Sequence, residues 1–197
     1  LNAAQLRSHW KAIDRWNAAG GGRGGGGRGL TVLKSVELDI LENAKLDLPD
    51  DVLAQADYVV ATIHYGLNQT ERQLTERLLV AVEHRWVDAI GHPTGRVVNR
   101  REPYPLDFDR VAGAAAAAGC LLELNGSERM DLPDTMAAAA KAAGARFVLS
   151  TDAHHPSHLG YMRYAVDLAR RAGLEARDIV NTLGLDEFRK ALKRAKR

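Results

Sequence analysis

Two hydrophobic periods take turns along this chain. In Asn2–Asn17, the residues Leu6, Trp10, Ile13 and Trp16 fall at helical spacing and predict a helix with one apolar face. From Leu30 onward, short apolar runs of strand length alternate with longer stretches of helical spacing. The strand-like runs are Leu30–Ile40, Tyr58–His64, Val87–Gly91, Cys120–Asn125 and Arg146–Thr151. The helix-like stretches are Thr70–Arg85, Asp107–Ala118, Leu132–Ala143, Leu159–Ala172 and Leu185–Lys196. Gly119, Gly144 and Gly173 stand where helix C-terminal caps belong, and Asp107 and Asp186 can start theirs. Residues 20–29 read GGGRGGGGRG, a composition that cannot pack a core and predicts a flexible loop.

Strand alternating with helix implies a parallel sheet with crossover helices, hence an α/β fold. An open dinucleotide-binding sheet would carry its Gly-rich turn after a strand. Here the glycines precede the strand, and no Gly-Lys-Ser/Thr follows them. A barrel is predicted instead, because successive strand ends carry polar functional groups and barrel strands open their C-termini onto one face. Five strands are too few to close an eight-stranded barrel.

Composition narrows the classes. A chain of 197 residues with 46% hydrophobic content suits one domain with a sizeable core. No apolar run approaches the roughly 20 residues of a membrane span, so no membrane partner is expected. The single cysteine, Cys120, opens an apolar run and reads as a small buried hydrophobe, which fits a reducing, cytoplasmic setting. A net charge of +2 does not argue for nucleic acid by itself. The basic tail, Lys190, Lys193, Arg194, Lys196 and Arg197, reads as a solvated helix end. Arg96, Arg100 and Arg101 follow His92 closely and are better placed to hold phosphate.

The strand ends supply the candidate chemistry. Glu37 and Asp39 share a face of the first strand, His64 ends the second, His92 the third, and Asp152-Ala153-His154 the fifth. Along an extended strand Asp152 and His154 would point the same way. A lone histidine at a strand end is commonly a hydrogen-bonded structural residue. Two at successive strand ends, with Asp–x–His later, favour metal ligation. Arg96 is the candidate phosphate clamp, and Asn125 could hydrogen-bond substrate or water. His155 and His158 read as outer or surface residues, and His9 and His84 as solvated or capping ones.

The order VELDI, TIHYGL, IGHPTGR, LELNG, STDAHH resembles the PHP (polymerase and histidinol phosphatase) domain. GHPTGRVVNRREPY and the closing MRYAVDLARRAGLEARDIVNTL look most like the C-terminal PHP domain of bacterial family X DNA polymerases. The resemblance runs from Leu30 to near the end. It implies a seven-stranded, distorted TIM-like barrel, of which five strands are present, holding up to three divalent ions, manganese or zinc. It implies phosphoester hydrolysis by metal-activated water and, in family X polymerases, 3′–5′ exonuclease and 3′-end processing of DNA beside an upstream polymerase domain.

The resemblance assigns Glu37 as a carboxylate bridging two metals and His64 and His92 as ligands of the second. It assigns Asp152 to the first metal and His154 to the third. The family's opening His–x–His strand and two further ligands have no counterpart here. The expectation is therefore a single PHP domain lacking its N-terminal strands, with one near-complete metal site and no hydrolysis on its own. A free-standing phosphatase acting on a small phosphomonoester is the alternative within enzymes. A non-catalytic scaffold attached to a polymerase is the alternative outside them.

Overall fold

The computed structural model of the chain describes residues 2–21 and 29–196, so 22–28 of the expected glycine loop lie outside the described residues. Five strands form one parallel sheet in chain order: β1 (Ser35–Asp39), β2 (Tyr58–Thr62), β3 (Ala89–Ile90), β4 (Leu121–Asn125) and β5 (Phe147–Ser150). Sequential, all-parallel pairing is the winding of a (β/α) barrel. Among the described residues β1 and β5 do not pair, so the sheet is an open arc, part of a TIM-like barrel.

The helices sit where the periodicity puts them. α1 (Ala3–Ala18) precedes β1, α2 (Asp50–Leu53) precedes β2, and α3 (Glu71–Glu83), α4 (Phe108–Ala118), α5 (Asp134–Ala142) and α6 (Met162–Arg171) follow β2 to β5 in turn. α7 (Leu185–Ala191) is the last α-helix among the described residues, followed by the 3₁₀ turn Lys193–Lys196. One turn is too short to show a period, which is why α2 has no signature in the sequence. Thr70 and Gln73 form a reciprocal capping box at the start of α3, and the Asp107 carboxylate caps α4. Gly119, Gly144 and Gly173 have φ of +68°, +87° and +68°, the left-handed geometry of helix C-terminal caps.

The main core lies between the sheet's outer face and the helices. Val59, Ala61, Leu122, Leu124 and Phe147 are fully buried there. Ala115, Ala137 and Ala140 are equally buried, so their small side chains let α4 and α5 approach the sheet. Trp10 of α1 is buried and its indole N–H donates to the Ser35 carbonyl at 3.3 Å, whereas Trp16 is exposed. Cys120 is buried as expected, and burial pushes its thiol up to about 12.

A second, smaller cluster fills the base of the concave face. Ala89, Leu121 and Val148 meet Val180 and Leu192 there, and the Phe188 ring lies 5.9 Å from Tyr58. This corrects the reading of Lys193 and Arg194 as part of a solvated helix end; Lys190 is exposed as that reading expects, and the side chains of Lys196 and Arg197 lie outside the described residues. The helix stops at Ala191, and Leu192, extended at ψ 148°, is drawn into the core. The residues behind it follow. Lys193 Nζ donates to the carbonyls of Val82 and His84 at 2.6 and 2.9 Å, satisfying the C-terminal end of α3. Arg194 donates to the Asp88 carboxylate at 2.8 Å and to the carbonyls of Trp86 and Ala56.

The free edge of β5 is also covered. Asn181 accepts from Leu149 N–H at 3.1 Å and donates to Leu149 carbonyl at 2.9 Å, standing in for a strand. Among the described residues no helix is long and apolar enough to cross a membrane.

Candidate metal centre

The C-terminal ends of β1, β2 and β3 bring three donors together. One ligand atom from each of Glu37, His64 and His92 lies within 4.8 Å of the others, the one such trio among the described residues. His92 Nε2 stands 3.2 Å and His64 Nε2 3.8 Å from the same oxygen of Glu37. The two imidazole centroids are 5.0 Å apart. Strand alternation puts Glu37 on the concave face, while its neighbours Val36 and Leu38 are buried against the helices.

Each donor is held from behind. Asp39 Oδ1 lies 2.8 Å and the Thr62 hydroxyl 3.2 Å from His64 Nδ1; a proton on that nitrogen, facing the carboxylate, leaves the Nε2 lone pair toward the space beside Glu37 where an ion would sit. Glu123 accepts the His92 backbone N–H at 2.6 Å and bonds the Ser150 hydroxyl and the Asn125 amide. Burial raises the Glu123 carboxyl above its usual range despite those bonds. Gly91 makes room for this arrangement, since a Cβ there would stand 2.7 and 2.8 Å from the Thr62 and Val60 methyls. Arg77, itself buried, donates to the carbonyls of Tyr65 and Ile40, tying together the loops that leave β1 and β2.

The trio carries a proton where a cation would sit. The His92 hydrogen bond holds Glu37 below the usual carboxylate range, against the pull of burial. Burial disfavours a charged His92, but the Glu37 bond and the Glu123 and Glu37 charges outweigh it and raise its pKa. The buried Nδ1 of His92 has no hydrogen-bond partner. One carboxylate and two imidazoles form a donor set suited to manganese or zinc. Such an ion must displace the proton, so uptake should weaken as pH falls. Replacing Asp39 with alanine frees the His64 ring, and metal affinity should drop roughly 10–100-fold. Calorimetric titration of manganese into Asp39→Ala checks this; wild-type affinity would show that Asp39 does not orient His64.

The loop after His92 has its own anchor. Asp131, buried, accepts from Thr94 N–H, the Thr94 hydroxyl and Arg96 N–H at 3.1, 2.9 and 3.1 Å. Burial outweighs these bonds and raises its carboxyl from 3.8 to about 6. The folded chain therefore binds a proton more tightly than the unfolded one. Stability is fully favoured below about pH 4 and lost as pH rises through about 6, by about 3 kcal/mol from this residue. Urea denaturation between pH 4 and 7 should show that decline, and Asp131→Asn should flatten it.

The other residues singled out from sequence lie apart from the trio. β5 ends at Ser150, and Asp152 has φ +48°, so strand alternation does not reach it. Asp152 and His154 are nonetheless neighbours, 3.6 Å apart across a turn. Asp152 pairs with Arg129 Nε at 3.3 Å, and His154 is largely exposed, its ring bonded to the Asp152 carbonyl. Arg96 directs its guanidinium to the carbonyls of Arg129 and Met130. Asn125 is buried, its amide on Glu123 and its carbonyl accepting Ser127 N–H at 2.9 Å. His155 caps the 3₁₀ turn Pro156–Tyr161, and His84 lies 3.2 Å from Asp50.

Sequence reasoning left Glu123, Arg129, Arg77 and Asp131 unassigned. Glu123 had a signal: a carboxylate inside an apolar run, two positions before Asn125 and so on its face. The other three had none, because each acts through backbone groups or partners distant in the chain.

No protein-family model matches the chain. It is 37% identical over 195 residues, 98% of its length, to a DNA polymerase/3′-5′ exonuclease PolX of Bacillus subtilis. It spans only 33% of that protein. It is 28% identical over 180 residues to a probable phosphatase of Thermoanaerobacter sp., covering 71% of it, and 32% identical over 165 residues to a probable phosphatase of Syntrophotalea carbinolica, covering 65%.

Proposed function

We propose that this chain is a PHP domain and the metal-dependent phosphoesterase part of a family X DNA polymerase, acting on DNA 3′ ends. The Glu37–His64–His92 trio at the strand C-termini carries the reading. Bound divalent ions, manganese or zinc, would supply charge to neutralise phosphate oxygens and to activate water. The chain's own residues do the rest. Asp39 and Glu123 orient the histidines, and Arg129, whose Nη1 is buried and unpartnered, offers a cation beside Asp152. Asp152 and His154 are proposed as donors of further ions, with Arg96 and Asn125 on the substrate side. Cytoplasmic location and an upstream polymerase domain belong to the same reading.

One cluster of three donors holds one ion, and phosphoester hydrolysis at such centres draws on neighbouring ions as well. The 197 residues should therefore take up manganese at a stoichiometry near one yet leave a 3′-labelled oligonucleotide intact. The longer polymerase chain should shorten it. Hydrolysis by the 197 residues alone would sink the incomplete-centre part of the proposal, and failure to take up any divalent ion would sink the whole. The probable phosphatase covered to 71% favours a second reading, hydrolysis of a small phosphomonoester. A longer chain that cleaves p-nitrophenyl phosphate but leaves DNA ends intact would select it. One that binds metal and cleaves neither would select the scaffold.

A further inference from the structure

Two cavities meet at one aromatic ring. The first, about 360 Å³, is charged, with Arg129, Asp152 and His154 in its wall. The second, about 340 Å³, is largely apolar, with Val98, Met130 and Tyr164. Tyr161 lines both. Each is of the size that holds a small molecule or one unit of a larger one. The ring belongs to a run. His158 stacks on Tyr161 at 4.9 Å and 18°, and Tyr164 follows at 6.1 Å. Gly126 permits this placement, because a Cβ there would stand 2.3 Å from the Tyr161 carbonyl and 2.9 Å from Ala165 N.

We infer that this bipartite pocket seats the last nucleotide of a DNA 3′ end, its phosphate toward Arg129 and its base against Tyr161 and Tyr164. The inference rests on the proposed function and adds to it the place where the terminal base sits. A phosphate ester needs only the charged cavity, whereas the apolar one adds room for a flat, uncharged group. Base stacking on tyrosine is the ordinary way a protein holds an unpaired base of any sequence. The charges agree. Arg129 lines the charged cavity with its side chain partly exposed, and its charge reaches Glu37 and His92, so the pocket's cation is also within electrostatic reach of the trio. Glu128 also lines the pocket, but Arg100 lies 3.2 Å from its carboxylate and offsets it. The exposed Arg163 guanidinium lies 4.5 Å over Tyr164 at the rim, where a strand's next phosphates would pass.

The test is fluorescence anisotropy with a 5′-labelled single-stranded oligonucleotide and the metal-free chain. Tyr161→Ala should weaken binding roughly ten-fold or more, the loss of one base stack, while Tyr161→Phe keeps it. An oligonucleotide lacking its 3′-terminal base should bind the wild-type chain as weakly as the intact one binds Tyr161→Ala. This arm needs no variant and so does not depend on how Tyr161→Ala folds. Equal binding of intact and abasic oligonucleotides, or no binding of either, would overturn the inference. Manganese uptake by the same proteins separates it from the functional reading. Tyr161→Ala should take up metal normally, so loss of the base effect with metal uptake retained sinks the pocket and leaves the metal centre standing.

Discussion

Alanine at His92 should remove measurable metal binding while the chain stays folded. His92 supplies the one fully enclosed donor of the trio, 3% exposed, against 44% for the Glu37 side chain and 35% for that of His64. Without it, one carboxylate and one half-exposed imidazole remain, and water competes for the open positions. Loss of an orienting partner already costs roughly 10–100-fold in affinity, so loss of a donor should exceed that range. Glu123 feels the change as well, because its buried carboxylate loses the favourable His92 charge but keeps the backbone N–H. Calorimetry with manganese and zinc, beside a thermal melt, reads both effects. Metal affinity within ten-fold of wild type in His92→Ala would mean that the ion binds elsewhere.

Alanine at Arg194 should produce the largest loss of stability. Asp88 is fully buried at the base of the barrel, and one of its oxygens already lacks a partner. Its other oxygen accepts Val59 N–H at 2.9 Å and pairs with Arg194 at 2.6 Å. Burial raises the Asp88 carboxyl, and the Arg194 bond and charge hold it down. Removing one partner of a buried pair costs about 3–5 kcal/mol. For a domain of this size that lowers the melting temperature by roughly 6 to 20 °C. The sign with pH follows. With Arg194 gone, the folded-state pKa of Asp88 moves further above its unfolded value. The variant should then be least impaired at low pH and lose stability as pH rises. Asp88→Asn combined with Arg194→Met should recover much of the loss, since neither charge is left buried alone. An Arg194→Ala melt within 2 °C of wild type would show that the tail does not bind the barrel base.

The same tail shows where reading the chain in one dimension stops. A run of lysines and arginines after an amphipathic stretch is what a solvated helix end looks like, and nothing local contradicts it. The outcome turned on Leu192, whose burial interrupts the helix, and on empty acceptors at the end of α3, more than a hundred positions away. Asp152 and His154 failed the alternation argument for a related reason. Alternation holds only while the backbone stays extended, and β5 ends at Ser150.

What the residues dictated alone is the scaffold and the donors. Period-two and period-3.6 runs, glycine caps and the capping residues are local signals, and they placed five strands and the longer helices between them, though not the single turn of α2. The placing of Glu37, His64 and His92 at strand ends was equally local, because parallel strands share one C-terminal face. Packing in three dimensions decided which donors meet, which carboxylate steadies which imidazole, and that Arg96 is bound to carbonyls while Arg129 pairs with Asp152 and keeps one nitrogen without a partner. Those are contacts between groups 23 to 55 positions apart. Their strength depends on burial and on angle, which a linear pattern does not carry.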